Sequence, residues 1–144
     1  TTQYMNRLIE QVENRVKGAS VSTGCKYLME PVGLGCKEIR VNPELSRLFE
    51  ENFKALGVTV VPRGDSKGST DVGNVSHVVP TIQAYVGIGV DATHTVEFRE
   101  ASISPKGDEA VTNGAKVMAL TALDILLDPC VLDKIRETSK KNPT

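Results

Sequence analysis

The 144-residue sequence has no excess of either charge, since 17 Lys and Arg side chains stand against 18 Asp and Glu side chains. A protein that binds nucleic acid through its phosphates normally carries a basic excess, so this class is disfavoured. No uninterrupted apolar run approaches the roughly 20 residues of a membrane helix, and no charged-then-apolar signal sequence opens the chain. We therefore expect neither a nucleic-acid partner nor a membrane partner.

Cysteine is also scarce. Cys25, Cys36 and Cys130 are too few and too scattered for a disulfide framework, and none of them forms a CxxC pair. This usage predicts a reducing, cytoplasmic setting. Hydrophobic residues make up 40% and charged residues 24% of the chain, which is typical of a globular domain rather than a disordered one.

Several common catalytic motifs are missing. The sequence contains no Walker motif, no HExxH and no GxSxG, and Gly33-Leu34-Gly35 lacks the strand and helix that a dinucleotide-binding GxGxxG would need. The only histidines are His77 and His94. Because a metal site needs three or four ligands, one histidine does not make one.

Apolar residues at helical spacing predict helices over 4–17, 43–56 and 108–127, with a shorter one after Asp128-Pro129. The second has the clearest ends: Asn42 as N-cap, Pro43 at the first helical position and Gly57 at the close. Gly18 is expected to end the first helix. Strands are predicted around 25–29, over 58–61 and within 77–90, and polar loops over 62–76 and 91–107.

This alternation of helices and short apolar runs predicts an α/β fold. The strand content is low, however, so the chain looks like part of a sheet rather than a whole one. The chain also begins inside an amphipathic helix, with no preceding strand.

Chemistry could reside in two segments. Residues 68–77 gather hydroxyls, an amide, a carboxylate and an imidazole among small residues, which suits hydrogen bonding to a ligand; a polar surface loop is the alternative. His94 follows the apolar run that ends at Val90, where a histidine can be a metal ligand or proton carrier. A solvated or hydrogen-bonded histidine is the alternative there, and Asp71 and Glu97 could contribute only if they lie nearby.

Together the two segments resemble a known family. Gly68-Ser69-Thr70-Asp71-x-Gly-Asn-Val-Ser, then Val-Val-Pro, then His94-Thr95-x-Glu97-Phe98 is similar to the M20 metal-dependent amidohydrolases and peptidases. The ending Ala115-Lys116-x-Met118-Ala119-Leu120-Thr121-Ala122-Leu123-Asp124 matches as well. The nearest branch is that of M20 domain-containing protein 2 and the aminobenzoyl-glutamate hydrolases, over roughly residues 1–137.

The resemblance implies a fold. These enzymes have a zinc-peptidase-like, three-layer αβα catalytic domain, with a smaller ferredoxin-like lid of βαββαβ order that commonly mediates dimerisation. Residues 1–33 would be the last helix and strand of the lid, and residues 34–144 the carboxy-terminal half of the catalytic domain. The chain would then be a fragment of a longer protein, and a homodimer would be expected.

The resemblance also implies a chemistry, the hydrolysis of an amide bond in an N-acyl amino acid or a dipeptide. Two divalent ions, zinc or manganese, activate water, and a glutamate acts as general base. The match makes His94 the last metal ligand, gives substrate-binding roles to Gly68, Ser69, Thr70 and Asn74, and gives supporting roles to Asp71, His77 and Glu97.

No catalytic residue is assigned to this chain, because the family's general base and other metal ligands precede the matched region. The chain by itself is therefore expected to be inactive. Relatives often have His-Pro where this sequence has Gln83-Ala84, which leaves the substrate preference open. A non-catalytic dimerisation or binding module is the competing hypothesis.

Overall fold

The computed structural model describes residues 1–62, 68–90 and 93–141, and 62% of these residues are helical. The helices are α1 (Thr2–Thr23), α2 (Pro43–Ala55), α3 (Val72–Ser76), α4 (Val96–Ser102), α5 (Pro105–Leu127) and α6 (Pro129–Lys141). The predicted helices over 43–56 and 108–127 and the one after Asp128-Pro129 are confirmed, although α5 begins three residues earlier than predicted. Its N-cap is Ser104, whose hydroxyl accepts from Gly107 N.

The core lies where α2, α5 and α6 pack against one another, and α4 packs on α5. Its buried side chains are those of Leu48, Phe53, Ala110, Val117 and Ile135. Leu48 and Phe53 come from α2, Ala110 and Val117 from α5 and Ile135 from α6, so each of the three helices contributes to the core. The core is small for a chain of this length, because many large apolar side chains outside it are exposed.

Asn42 joins three parts of this core. Its Oδ1 accepts from Leu45 N at 2.9 Å, which caps α2. Its Nδ2 donates to Ile135 O at 2.9 Å and to Ser139 Oγ at 2.8 Å, both on α6. Its backbone N–H donates to Thr81 O at 2.9 Å. Asn42 is buried, so its side of each of these bonds is shielded from water.

Replacing Asn42 by alanine is expected to destabilise the protein by about 2–3 kcal/mol, because the cap of α2 is lost and Ile135 O loses a buried donor. Asn42→Ser is the matched control, since serine retains the cap but is too short to reach α6. Urea unfolding should place Asn42→Ser between the wild type and Asn42→Ala. A serine variant as stable as the wild type would show that the bonds to α6 contribute nothing.

Helix α1 differs from its prediction at one end. Thr1 caps it by accepting from Tyr4 N, but the helix runs through Gly18 and ends at Gly24, which has a φ of 68°. A glycine adopts this left-handed conformation without the steric cost of a Cβ atom. No residue of α1 is buried. Its first turn contacts segment 35–38, where Thr2 N donates to Glu38 Oε2 at 2.8 Å.

The strand predictions are wrong for the residues that the structure describes. The runs 25–29, 58–61 and 77–90 hold no strand there, and the single β-bridge is a parallel one between Val41 and Thr81. Apolar and β-branched side chains favour an extended backbone, but a strand forms only when a neighbouring segment supplies hydrogen bonds. Among the described residues the extended segments pair only through the bridge between Val41 and Thr81, so the structure does not confirm the α/β fold.

The two loop predictions are too simple. Helix α3 lies within the predicted loop 62–76, and helix α4 lies within the predicted loop 91–107. Both are short, and Thr95 caps α4 by accepting from Phe98 N at 3.1 Å. Helices of five to seven residues are too short to display an apolar period, so the sequence pattern does not reveal them.

Helix α5 also bears on the membrane expectation. It is long and apolar enough to cross a bilayer, with a mean hydropathy of 1.4 over 18 residues, of which 17% are buried. Length and composition do not separate a membrane span from the core helix of a soluble protein, and α5 packs on three other helices. Among its outward side chains, Val111, Met118 and Leu126 are 74%, 66% and 78% exposed.

Candidate functional site

The polar segment that the sequence singles out leads into α3. Thr70 Oγ1 accepts from Val72 N at 3.3 Å, and Thr70 O accepts from Gly73 N at 3.2 Å, so this threonine sets the first turn of the helix. Gly68, Ser69 and Asp71 are exposed. The Ser69 hydroxyl is therefore open to a ligand, whereas the Thr70 hydroxyl accepts from Val72 N and donates to Asp71 Oδ1 at 3.4 Å.

Asn74 holds α3 against the extended segment before α2. Its Oδ1 accepts from Lys37 N at 2.9 Å and its Nδ2 donates to Gly35 O at 3.1 Å. A substrate could use this amide only in exchange for one of these bonds. The substrate-binding role of Asn74 thus stays a prediction. In the structure the Asn74 side chain positions the loop.

Ser76 and Gly73 complete this attachment. Ser76 Oγ accepts from Arg40 N at 2.9 Å and donates to Gly73 O at 2.6 Å. Gly73 is buried directly against the carbonyl of Lys37, where a Cβ atom would lie 1.9 Å from the oxygen. Only glycine fits such an approach of two backbones. The loop 68–71 is therefore fixed relative to the segment 35–40.

His77 lies at the end of α3 with its side chain 13% exposed. Its Nε2 is 3.0 Å from Glu38 O, and since a carbonyl only accepts, Nε2 must carry the hydrogen. The predicted supporting role of His77 stays a prediction.

Glu38 is the charged group beside His77, with Oε2 4.0 Å from the imidazole Nε2. The hydroxyl and backbone N–H of Thr2 both donate to the Glu38 carboxylate. These bonds, chiefly the one from the hydroxyl, lower the pKa of Glu38 to about 2. Glu38 is thus a carboxylate at neutral pH that anchors α1. The sequence offered no signal for this role, because its partner is 36 residues away.

His94 has an unusual backbone conformation. It is the one described non-glycine residue with a positive φ, at 62°. That conformation is costly for a side chain with a Cβ atom, and strained residues of this kind concentrate at functional sites. His94 is exposed and directly precedes Thr95, the cap of α4, while Glu97 is exposed in the first turn of that helix.

The described residues do not contain a complete metal site. No group of three or more His, Cys, Asp or Glu side chains lies close enough together in 1–62, 68–90 and 93–141 to hold an ion. A single exposed imidazole at His94 is a suitable donor for zinc or manganese, so it fits a site whose other ligands lie elsewhere. Within the same ranges no hydrogen bond or ion pair joins His94 to Gly68–Asp71, and their convergence stays a prediction.

The comparisons with known proteins support a relationship to peptidases of the M20 type. The relatives are two Xaa-Arg dipeptidases. The mouse protein (Mus musculus) is 34% identical over 138 aligned residues, and the human protein (Homo sapiens) is 33% identical over 138. Each alignment covers 92% of this chain and 32% of the relative. No family model matches the chain.

The chain therefore spans about a third of the length of the curated relatives that it matches. The relationship suggests dependence on a divalent metal, as expected from the resemblance. It does not identify the member of the family, so the nearest branch named above stays a prediction.

Proposed function

We propose that this chain is the carboxy-terminal part of a dimetal amidohydrolase that hydrolyses the amide bond of a dipeptide or an N-acyl amino acid. The observation that carries the proposal is the alignment with two dipeptidases over 92% of the chain. The strained backbone at His94 supports it independently, because the residue that the resemblance makes a metal ligand is also the one described side-chain-bearing residue with a positive φ.

The proposed architecture is the α/β one, with 1–33 in a lid and 34–144 in a three-layer catalytic domain. The parallel bridge between Val41 and Thr81 is what two neighbouring strands of a mixed or parallel sheet would leave in a partial sheet. The outward face of α5 supports the same idea, since Val111, Met118 and Leu126 lie at spacings of two helical turns and expose apolar surface that a sheet could cover.

Each site residue then has a task. The His94 imidazole would hold one ion, and Glu97, in the same segment, would support the loop that carries His94. Ser69, Thr70 and Asn74 bind or orient the substrate, Gly68 lets the substrate approach the backbone, and Asp71 and His77 support the site. Bound divalent ions would supply Lewis-acid activation of water and of the amide carbonyl. The general base and the remaining ligands lie outside this chain.

The experiment is an amide-hydrolysis assay on the longer protein, supplied with zinc or manganese. The panel contains N-acyl amino acids and dipeptides, including dipeptides that end in arginine because the relatives are named for that residue. We expect turnover by the longer protein and none by the 144-residue chain. A longer protein that is inactive on the whole panel would contradict the proposal and favour the binding or dimerisation module.

A further inference from the structure

A cavity of about 210 Å³ lies between α6, the start of α2 and the residues that follow α3. Its lining includes Arg40, His77 and Lys140, and it contains no carboxylate among the described residues. A concave site with two permanent cations and no anion has a positive potential and attracts a negative ligand. The cavity is separate from the Gly68–Asp71 loop and from His94, neither of which lines it.

Arg40 carries an unsatisfied hydrogen-bond donor in this cavity wall. Its Nε is buried and has no hydrogen-bond partner. Within the described residues no side chain forms a hydrogen bond or ion pair with its guanidinium, and its backbone N–H is the group bound to Ser76. Buried donors are nearly always satisfied, so an unsatisfied one points to a missing partner. A guanidinium is a fork of donors that matches the paired oxygens of a carboxylate or phosphate.

Ser139 supplies a second free donor. The bond from Leu45 N fixes Oδ1 of Asn42 as the acceptor, so Nδ2 faces α6 and donates to Ser139 Oγ at 2.8 Å. The serine oxygen is thereby used as an acceptor, and its hydroxyl hydrogen has no acceptor in the part of the chain that the structure describes. The hydroxyl hydrogen of Ser76, in contrast, is already donated to Gly73 O.

We propose that this cavity binds a small oxyanion, a carboxylate or phosphate group, through the Arg40 guanidinium and the Ser139 hydroxyl, with Lys140 adding charge at the rim. The volume exceeds what a single water needs and suits one oxyanion group with a few attached atoms. The inference is independent of amide hydrolysis, because it uses none of the residues assigned to that reaction except His77, which here only lines the wall.

The test is a titration of the protein with inorganic phosphate and, separately, with acetate, with chloride holding the ionic strength constant. Thermal unfolding and ³¹P line broadening are the readouts. We expect a saturable rise in unfolding temperature with at least one of the two anions. If only phosphate raises the unfolding temperature, the natural ligand carries a phosphate group. If only acetate raises it, the ligand carries a carboxylate. The absence of a saturable effect from both anions would overturn the proposal.

Two variants test the assigned donors. Arg40→Met keeps the apolar stem and removes the fork, and Ser139→Ala removes the hydroxyl; each should weaken anion binding by about tenfold or more. Arg136→Met is the matched control, because Arg136 lies on the same helix as Ser139, is exposed and does not line the cavity. Equal anion binding by Arg40→Met and Arg136→Met would contradict the assignment.

A purely structural role for Arg40 predicts something different. If the guanidinium served only the fold, Arg40→Met would unfold at a lower temperature without any anion present. The oxyanion site predicts that this variant unfolds, in anion-free buffer, at the same temperature as the wild type or a higher one, because the unsatisfied Nε is gone. Arg40→Lys should restore the charge but only part of the affinity, since an ammonium lacks the fork.

Discussion

Replacing His94 by asparagine in the longer hydrolase proposed above is expected to remove most of the bound metal and to lower kcat by more than roughly a hundredfold, the upper end of the loss caused by an outer-shell partner. Asparagine tolerates a positive φ better than most residues, so the backbone at 62° should survive the change. What is lost is the imidazole, the proposed metal donor. Metal content by elemental analysis and kcat on the best substrate of the panel are the measurements.

His94→Gly makes the test sharper, because glycine relieves the strain at this position as well as removing the imidazole. A loop residue with no function should become neutral or more stable on that change, with metal and activity intact. The proposed ligand should instead lose both while the protein remains folded. His77→Asn is the control, since His77 is the only other histidine and bonds to Glu38 O. Unchanged metal content in both His94 variants would end the assignment.

The helices could be predicted well because their signals are local. The N-cap at Asn42, the proline at position 43 and the Asp128-Pro129 break each act within a few residues. The strand predictions are wrong for the opposite reason, because strand pairing is not a local property. A run such as Val58–Val61 indicates an extended backbone, but its pairing depends on a segment that the local sequence does not name.

The candidate site shows the same limit. The sequence identified the polar loop and His94 by their motifs, but not how they are held. Asn74 accepts from Lys37 N and donates to Gly35 O, which lie 37 and 39 positions away in the sequence, and no spacing rule predicts such pairs. The positive φ of His94 was equally hidden, because histidine adopts a left-handed backbone more often than most residues do but still only in a small minority of cases. The cavity at Arg40 and Ser139 combines positions almost a hundred residues apart.

Replacing Gly73 by alanine is expected to destabilise the protein by about 3 kcal/mol or more, at the upper end of overpacking costs. The new Cβ atom would lie 1.9 Å from Lys37 O and 2.9 Å from Lys37 C. Both neighbours are backbone, so no side chain can rotate away and one of the two segments must move. Chemical denaturation monitored by circular dichroism gives the free energy of unfolding.

Gly18→Ala provides the matched control. Gly18 lies inside α1, with nothing within 4 Å of the position that a Cβ atom would take. Alanine there should stabilise the protein by about 0.4–1 kcal/mol, because it restricts the unfolded chain and favours the helix. The two glycines thus predict effects of opposite sign for the same chemical change.

A displaced α3 would also break the bonds from Asn74 to the segment 35–37, so Gly73→Ala should impair substrate binding by the longer hydrolase even below its unfolding temperature. Full activity together with unchanged stability would show that the contact between Gly73 and Lys37 does not position the loop.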